Sequence, residues 1–179
     1  MLARNPEKLH FHHEGVTVIQ GDALNIETIH ELLEGCDAVI NAFGQPAKAV
    51  PLYSKTTALI LESMQEKQIK RYIGVTGASL PVKGDQKGIL NRIGEKLFAM
   101  VFSDMIQDRK KELATLHASE VDWTLVRLPF VKEGAGEDLI KVDLIDMPGM
   151  WIQNGDIASF LIGQIADKRH IRCTPFMAN

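Results

Sequence analysis

The sequence predicts an α/β fold built on one doubly wound, mainly parallel sheet, and two observations carry that prediction. Short apolar, β-branched runs alternate along the chain with stretches whose apolar residues recur at helical spacing, the pattern that βαβ units produce. A length of 179 residues at 45% hydrophobic content supplies one well-buried core and gives no case for two. Residues 1–179 are therefore expected to form a single domain.

The elements follow in order. MLARNPEKL opens with apolar or small residues running into Arg4, Asn5 and Pro6. Proline fixes φ, lacks a donor and pushes its predecessor toward extended geometry, so Asn5-Pro6 fits a strand exit. VTVIQGD (16–22) reads as a strand emptying into a loop. Asn25 caps an amphipathic helix carrying Ile26, Ile29, Leu32 and Leu33, and Gly35 ends it. DAVINAFG (37–44) is a strand covered on both faces. A helix is expected from Pro51 to Lys67, a strand over RYIGVTGAS (71–79), a helical region from Gln86 to Ala118, a strand over DWTLVRL (122–128) and a helix from Asp156 to Ile165. The tail IRCTPFMAN (171–179) docks as a short strand whose proline assigns it to an edge. Pro81 to Gly88, Val131 to Asp138 and Met147 to Met150 are gaps. In an open α/β sheet ligands sit beyond the carboxyl ends of the strands. The loops at Gly21-Asp22, Ala42 to Gly44, Thr76 to Ser79 and Pro129-Phe130 are then the functional edge.

Composition narrows the partners. A net charge of −3 without a dense Lys/Arg block gives no footprint for nucleic acid or an anionic membrane. Arg109, Lys110 and Lys111, flanked by Asp108 and Glu112, read as a solvated helix face. Cys36 and Cys173 lie far apart and without metal-ligand spacing, the economy of a reducing compartment, so a cytoplasmic location is expected. No apolar run approaches the ~20 residues of a membrane span, and Arg4, Glu7 and Lys8 fall where a signal peptide needs an apolar stretch. HFHH (10–13) gathers three imidazoles but only Glu14 joins them, which does not make a metal site, and none is expected. Trp123 and Trp151 read as core or interface packing.

The order of motifs, RNPEKL with a GD loop, DAVINAFG, RYIGVTGAS, DRKKELATLHASEVDWTLVRLPF, QNGDIASFL and a closing TPFMAN, resembles the NAD(P)H-binding branch of the atypical short-chain dehydrogenase/reductases. That branch includes biliverdin- and flavin-reductase-like enzymes and relatives of redox-sensing co-regulators. The resemblance runs over the whole chain and implies a Rossmann-like fold. It matches Arg4 to the basic residue facing the adenosine 2′-phosphate, a task for which a planar guanidinium is suited; the alternative is a surface arginine. Asp22 and Ala23 match the loop that meets adenine, with a capping aspartate as the alternative. Ala42, Phe43 and Gly44 match the loop approaching the ribose and pyrophosphate, where Gly44 can equally be a turn glycine. Thr76, Gly77 and Ala78 match the loop beside the nicotinamide, and Pro129 and Phe130 the loop that holds its carboxamide.

The chain departs from the family pattern twice. No glycine-rich turn opens a helix after a first strand, and Gly74 and Gly77 sit within and after a strand. By the family's architecture roughly thirty residues holding that strand, turn and helix are expected before Met1. Either the chain is a shortened form of an intact cofactor binder, or it repairs an N-terminally incomplete sheet through a homodimer or strand exchange. In the order 3-2-1-4-5-6 the first strand is central, so the opening strands should stand apart from DAVINAF. The second departure is catalytic. Tyr53 and Tyr72 are each followed at the fourth position by threonine, not by the lysine that lowers a tyrosine's pKa for acid work. Thr76 is the candidate catalytic hydroxyl, with a capping role as its alternative. The resemblance thus implies an NAD(P)H-dependent reductase of a small conjugated acceptor such as a flavin, quinone or similar carbonyl, with NADP(H) favoured over NAD(H). A non-catalytic dinucleotide sensor, or a chain that binds no dinucleotide, are the other readings.

Overall fold

The computed structural model describes residues 1–9, 11, 13–46, 49–86, 88–137 and 139–179. The main sheet holds five strands in the order β3 (Ala38–Asn41), β4 (Arg71–Gly77), β5 (Asp122–Leu128), β9 (Phe176–Ala178) and β7 (Lys141–Asp143). All pairs are parallel except β7 with β9. β1 (Leu2–Ala3) and β2 (Ile19–Gln20) form a separate parallel pair, and β6 (Phe130–Lys132) with β8 (Trp151–Gln153) another.

Alternation along β4 and β5 builds two core layers. Tyr72, Trp123 and Leu125 face one side, where α1 (Ile26–Leu32), α2 (Tyr53–Glu66) and α4 (Ser103–Ala118) contribute Ile29, Ile60, Leu61, Met64, Leu113 and Leu116. Ile73 and Val126 face the other, against Ile157 and Leu161 of α5 (Asn154–Gly163) and Ile152 of β8. Full burial of each such side chain contributes about 1.5–3 kcal/mol. Gly74 is a packing glycine: a Cβ there would lie 3.0 Å from the Tyr72 ring and 3.1 Å from Leu125.

Asn25 caps α1 as expected, its Oδ1 accepting from Thr28 N at 3.1 Å, and Gly35 follows the helix with φ +68°. Elsewhere the boundaries shift. The strand expected over 16–22 is only Ile19–Gln20. That expected over 37–44 stops at Asn41, because the Asn41 side chain accepts from Phe43 N at 3.0 Å and turns the chain out of the sheet. The helical region 86–118 is two helices, α3 (Ile89–Val101) and α4, broken at Phe102 with φ −122° and ψ 40°. The tail strand is not at an edge. β9 lies between β5 and β7, and Pro175 is accommodated because it offers only its carbonyl there, which accepts from Arg127 N at 2.8 Å. The three-residue strands β6, β7 and β8 arise in or beside segments that read as gaps.

Arg127 sits in β5 with a fully buried side chain. Its Nη1 reaches both carboxylate oxygens of Asp85 at 2.7 and 2.8 Å, Nε donates to Thr174 O at 2.8 Å, Nη2 to Leu144 O at 3.3 Å, and the guanidinium lies 3.4 Å from the Phe176 ring centroid. One side chain thus ties the loop after β4, the loop after β7 and the approach to β9 to the middle of the sheet. Asp156, at the start of α5, plays a similar part, accepting from Glu137 N at 3.1 and 3.2 Å and from Asn179 Nδ2 at 2.8 Å.

Removing one partner of a buried ion pair leaves the other charge uncompensated, at a cost of about 3–5 kcal/mol. Asp85→Ala is therefore expected to lose that amount in denaturant unfolding. A loss below about 1 kcal/mol, the scale of a surface pair, would contradict the structural role given to Arg127.

Candidate functional site

The parallel register Leu2↔Ile19 and Ala3↔Gln20 delivers the residues that leave β1 and β2 side by side. Arg4 Nη2 and Asp22 Oδ2 are 3.7 Å apart, both side chains largely exposed. Asp22 also closes its own turn, its Oδ1 accepting from Leu24 N at 2.9 Å around Ala23. The turn-closing bond and the contact with Arg4 use different oxygens of the carboxylate.

Beyond β3, Ala42, Phe43 and Gly44 run toward α2. The Phe43 ring meets Tyr53 edge-on at 5.7 Å, and open space surrounds the position of a Cβ on Gly44. Beyond β4, Ala78 N donates to Leu128 O at 2.8 Å, which holds the turn of Thr76, Gly77 and Ala78 against the end of β5, one residue before Pro129. Thr76 is 4% exposed, and its Oγ1 is buried without a hydrogen-bond partner among the described residues. Phe130 opens β6 with its ring exposed. The structure therefore brings the Thr76 and Pro129 loops together. It places Arg4 and Asp22 on the separate β1–β2 pair.

A buried polar cluster on the α2/α4 face went unread in the sequence. Asn41 Nδ2 donates to Tyr72 Oη at 2.8 Å, Tyr72 Oη lies 3.3 Å from Thr57 Oγ1, and Thr57 Oγ1 donates to Glu112 Oε1 at 3.0 Å. Arg109 Nη1 closes the chain, donating to Glu112 Oε2 at 2.7 Å and to Val75 O at 3.2 Å, with the guanidinium 3.4 Å from the Tyr53 ring centroid. Burial pushes the Tyr72 hydroxyl pKa well up, and the Glu112 charge adds to the shift against the opposing hydrogen bonds from Thr57 and Asn41. The expected solvated face at Arg109 to Lys111 holds only for the two lysines, which are exposed; Glu112 is 1% exposed and Arg109 lies between α2 and α4. The available signal was spacing: Arg109 and Glu112 at i, i+3 and Tyr53 and Thr57 at i, i+4 share inward helix faces.

Of the histidine run, His10 and His12 lie outside the described residues, and His13 Nδ1 accepts from Gly15 N at 3.0 Å. Among the described residues no three His, Cys, Asp or Glu side chains gather for a metal, and no helix is long and apolar enough to cross a membrane. Trp123 is core, but Trp151 is 44% exposed, so its packing is partial.

Two ends of a nicotinamide dinucleotide find suitable groups. A buried hydroxyl without a partner among the described residues stands at the end of β4, and a cation beside an acceptor stands at the ends of β1 and β2. For the dinucleotide's pyrophosphate, N–H groups at the N-termini of α1, α2 and α5 are already engaged. A pyrophosphate cradle is a helix N-terminus with free N–H groups: Asn25 caps α1, Ser54 N in the first turn of α2 donates to Asp108 at 3.1 Å and Gly155 N in α5 to Gly134 O at 3.1 Å, while the N-termini of α3 and α4 carry no side-chain cap among the described residues.

Solved structures share this fold. A wide-type short-chain dehydrogenase/reductase from Veillonella parvula, crystallised with NADP, superposes with a TM-score of 0.72 at 19% identity over 93% of this chain and 74% of its own. The oxidoreductase ylbE from Lactococcus lactis gives 0.73 at 19% identity over 99% and 78%. ChuY from Escherichia coli O157:H7, described as an anaerobilin reductase, gives 0.71 at 14% identity over 92% and 75%. A search of curated proteins returns no match. Residues 1–168 match the family model described as NAD(P)H-binding, and the chain belongs to that NAD(P)H-binding family.

Proposed function

We propose that this chain is a cytoplasmic NAD(P)H-dependent reductase of a small conjugated acceptor, a flavin, quinone or similar carbonyl, that prefers NADP(H). The observation that carries it is the division of hydroxyls at the carboxyl edge. Tyr72 is committed to the Asn41–Thr57–Glu112 cluster and the Tyr53 ring packs beneath Arg109, while Thr76 keeps a buried hydroxyl at the end of β4 that has no partner among the described residues. Family membership and the reductases among its structural relatives support the same direction.

When bound, the reduced nicotinamide supplies a hydride. Arg4 would pair with the 2′-phosphate, Asp22 and Ala23 would meet adenine, and Ala42, Phe43 and Gly44 the ribose side. Thr76 would orient the nicotinamide or the acceptor carbonyl, with Gly77 and Ala78 leaving room beside it and the backbone of Pro129 and Phe130 facing the carboxamide. No phenol is offered as a proton donor, so the acceptor takes its proton from solvent. That suits conjugated acceptors, whose reduced forms tolerate anionic character. The same absence favours a second reading, a dinucleotide sensor without turnover.

Titration of NADPH and NADH, followed by tryptophan fluorescence, tests the reading. NADPH is expected to bind at least tenfold tighter, and Arg4→Ala to remove that preference while sparing NADH. Equal weakening of both rejects the role of Arg4, and binding of neither rejects the reading. Binding without turnover of quinones or flavins selects the sensor.

Tyr72→Phe separates packing from chemistry. The folded state holds the Tyr72 proton above the ordinary tyrosine pKa of about 10, so the stability this supplies is complete below that pH and drains away as pH rises beyond it. The variant is expected to lose about 1–3 kcal/mol at neutral pH from stranded partners, to fall less steeply than wild type between pH 9 and 11 in denaturant titrations, and to keep its turnover within about threefold. A hundredfold loss of turnover would make Tyr72 an acid after all.

A further inference from the structure

Phe130 and Trp151 are register partners in the β6–β8 pair, and Lys132 lies two residues on from Phe130. Alternation sends Ile152, fully buried against Ile157 and Leu161 of α5, to the inner face. Phe130, Trp151 and Lys132 therefore share the outer face. The Phe130 and Trp151 rings are 5.2 Å apart and inclined at 40°, exposed by 61% and 44%. Lys132 Nζ stands 4.2 Å from the Trp151 ring centroid and makes no ion pair among the described residues.

The backbone holds this surface rigidly. Phe130 N donates to Met150 O at 3.2 Å, Asn179 N to Trp151 O at 2.9 Å, and Gln153 N to Asn179 Oδ1 at 2.9 Å. Phe130 is two residues from Leu128, whose carbonyl holds the turn of Thr76 to Ala78. The aromatic surface thus follows directly on the end of β5, to which the turn after β4 is tied.

We propose that Phe130 and Trp151 form the platform on which the acceptor stacks, and that Lys132 selects acceptors carrying an anionic substituent. The proposal deepens the reductase reading and rests on it for the identity of the ligand as acceptor. Inclined exposed rings favour offset stacking with a planar conjugated system. A lysine over the indole has its charge partly met by the ring face and keeps N–H donors for a phosphate or carboxylate. An aromatic pair covered by a second copy of the chain would instead bury in the contact an ammonium that has no ion pair among the described residues, which is costly.

The test needs no nicotinamide, so it can fail independently of the cofactor reading. FMN and riboflavin carry the same ring system and differ in the phosphate. Each is titrated into the protein and followed by flavin anisotropy and tryptophan quenching. FMN is expected to bind at least fivefold tighter than riboflavin, and Lys132→Gln to erase that margin without changing riboflavin. Phe130→Ala and Trp151→Leu, both at exposed positions, are expected to weaken both flavins at least tenfold while leaving the melting temperature within a few degrees. Equal affinities in wild type, binding indifferent to Trp151→Leu, or a dimer in sedimentation that Phe130→Ser dissolves would overturn the proposal. Flavin binding with no NADPH binding would instead overturn the nicotinamide reading alone.

Discussion

A guanidinium with no exposed surface must have its donors met inside the protein, and Arg127 meets them by recruiting three separate stretches of chain. Asp85 comes from the loop after β4, Leu144 from beyond β7, and Thr174 from the approach to β9. None of these stretches is long enough to have a core of its own. Their paths over the carboxyl edge follow from where one β5 side chain needs acceptors, since an unmet buried donor costs more than the bend that meets it. The Phe176 ring beneath the guanidinium then fixes β9 next to β5, which is why a strand after a proline sits inside the sheet.

The opposite face shows a different use of buried polarity. Tyr72, Thr57, Glu112 and Arg109 join β4, α2 and α4 through side chains where packing alone would leave the helices free to slide. Such a network is stable only when every member is satisfied. Its completeness commits the Tyr72 phenol to the core, while the Tyr53 ring packs beneath Arg109. Rigidity beneath the edge is thus obtained with a tyrosine, a group that classical reductases use for acid work, and the Thr76 hydroxyl has no partner among the described residues.

How much of this was legible depended on whether the cause was local. Asn25 and Gly35 bracket α1 by capping chemistry that involves only neighbours, and both could be read directly. DWTLVRL reads as a strand from its place in the alternation of strands and helices, and β5 spans those same residues. The break at Phe102 and the exit of the chain at Asn41 depend on single side-chain or backbone conformations that composition does not betray. For the site, Arg4 and Asp22 are picked out by the family resemblance, and the structure puts them within an ion pair at the ends of β1 and β2. Arg109, Glu112 and the Phe130–Trp151 pair are not, because charged residues in a run and aromatics in gaps carry their meaning only through partners distant in sequence. Arg127 is the clearest case: nothing around Asp85 announces a carboxylate that will be buried against β5.

The division of the sheet has a consequence for affinity. The candidate adenosine end rides on β1 and β2, the candidate nicotinamide end on β4 and β5, and no strand pairing joins the two sets. What connects them is side-chain packing, with Leu2 against the core that holds Ile29, Tyr72 and Trp123. A ligand touching both ends is then a bivalent one, and its second contact is governed by an effective concentration that packing sets. Changes in a few apolar side chains around Leu2 could tune dinucleotide affinity over a wide range without altering any residue that touches it.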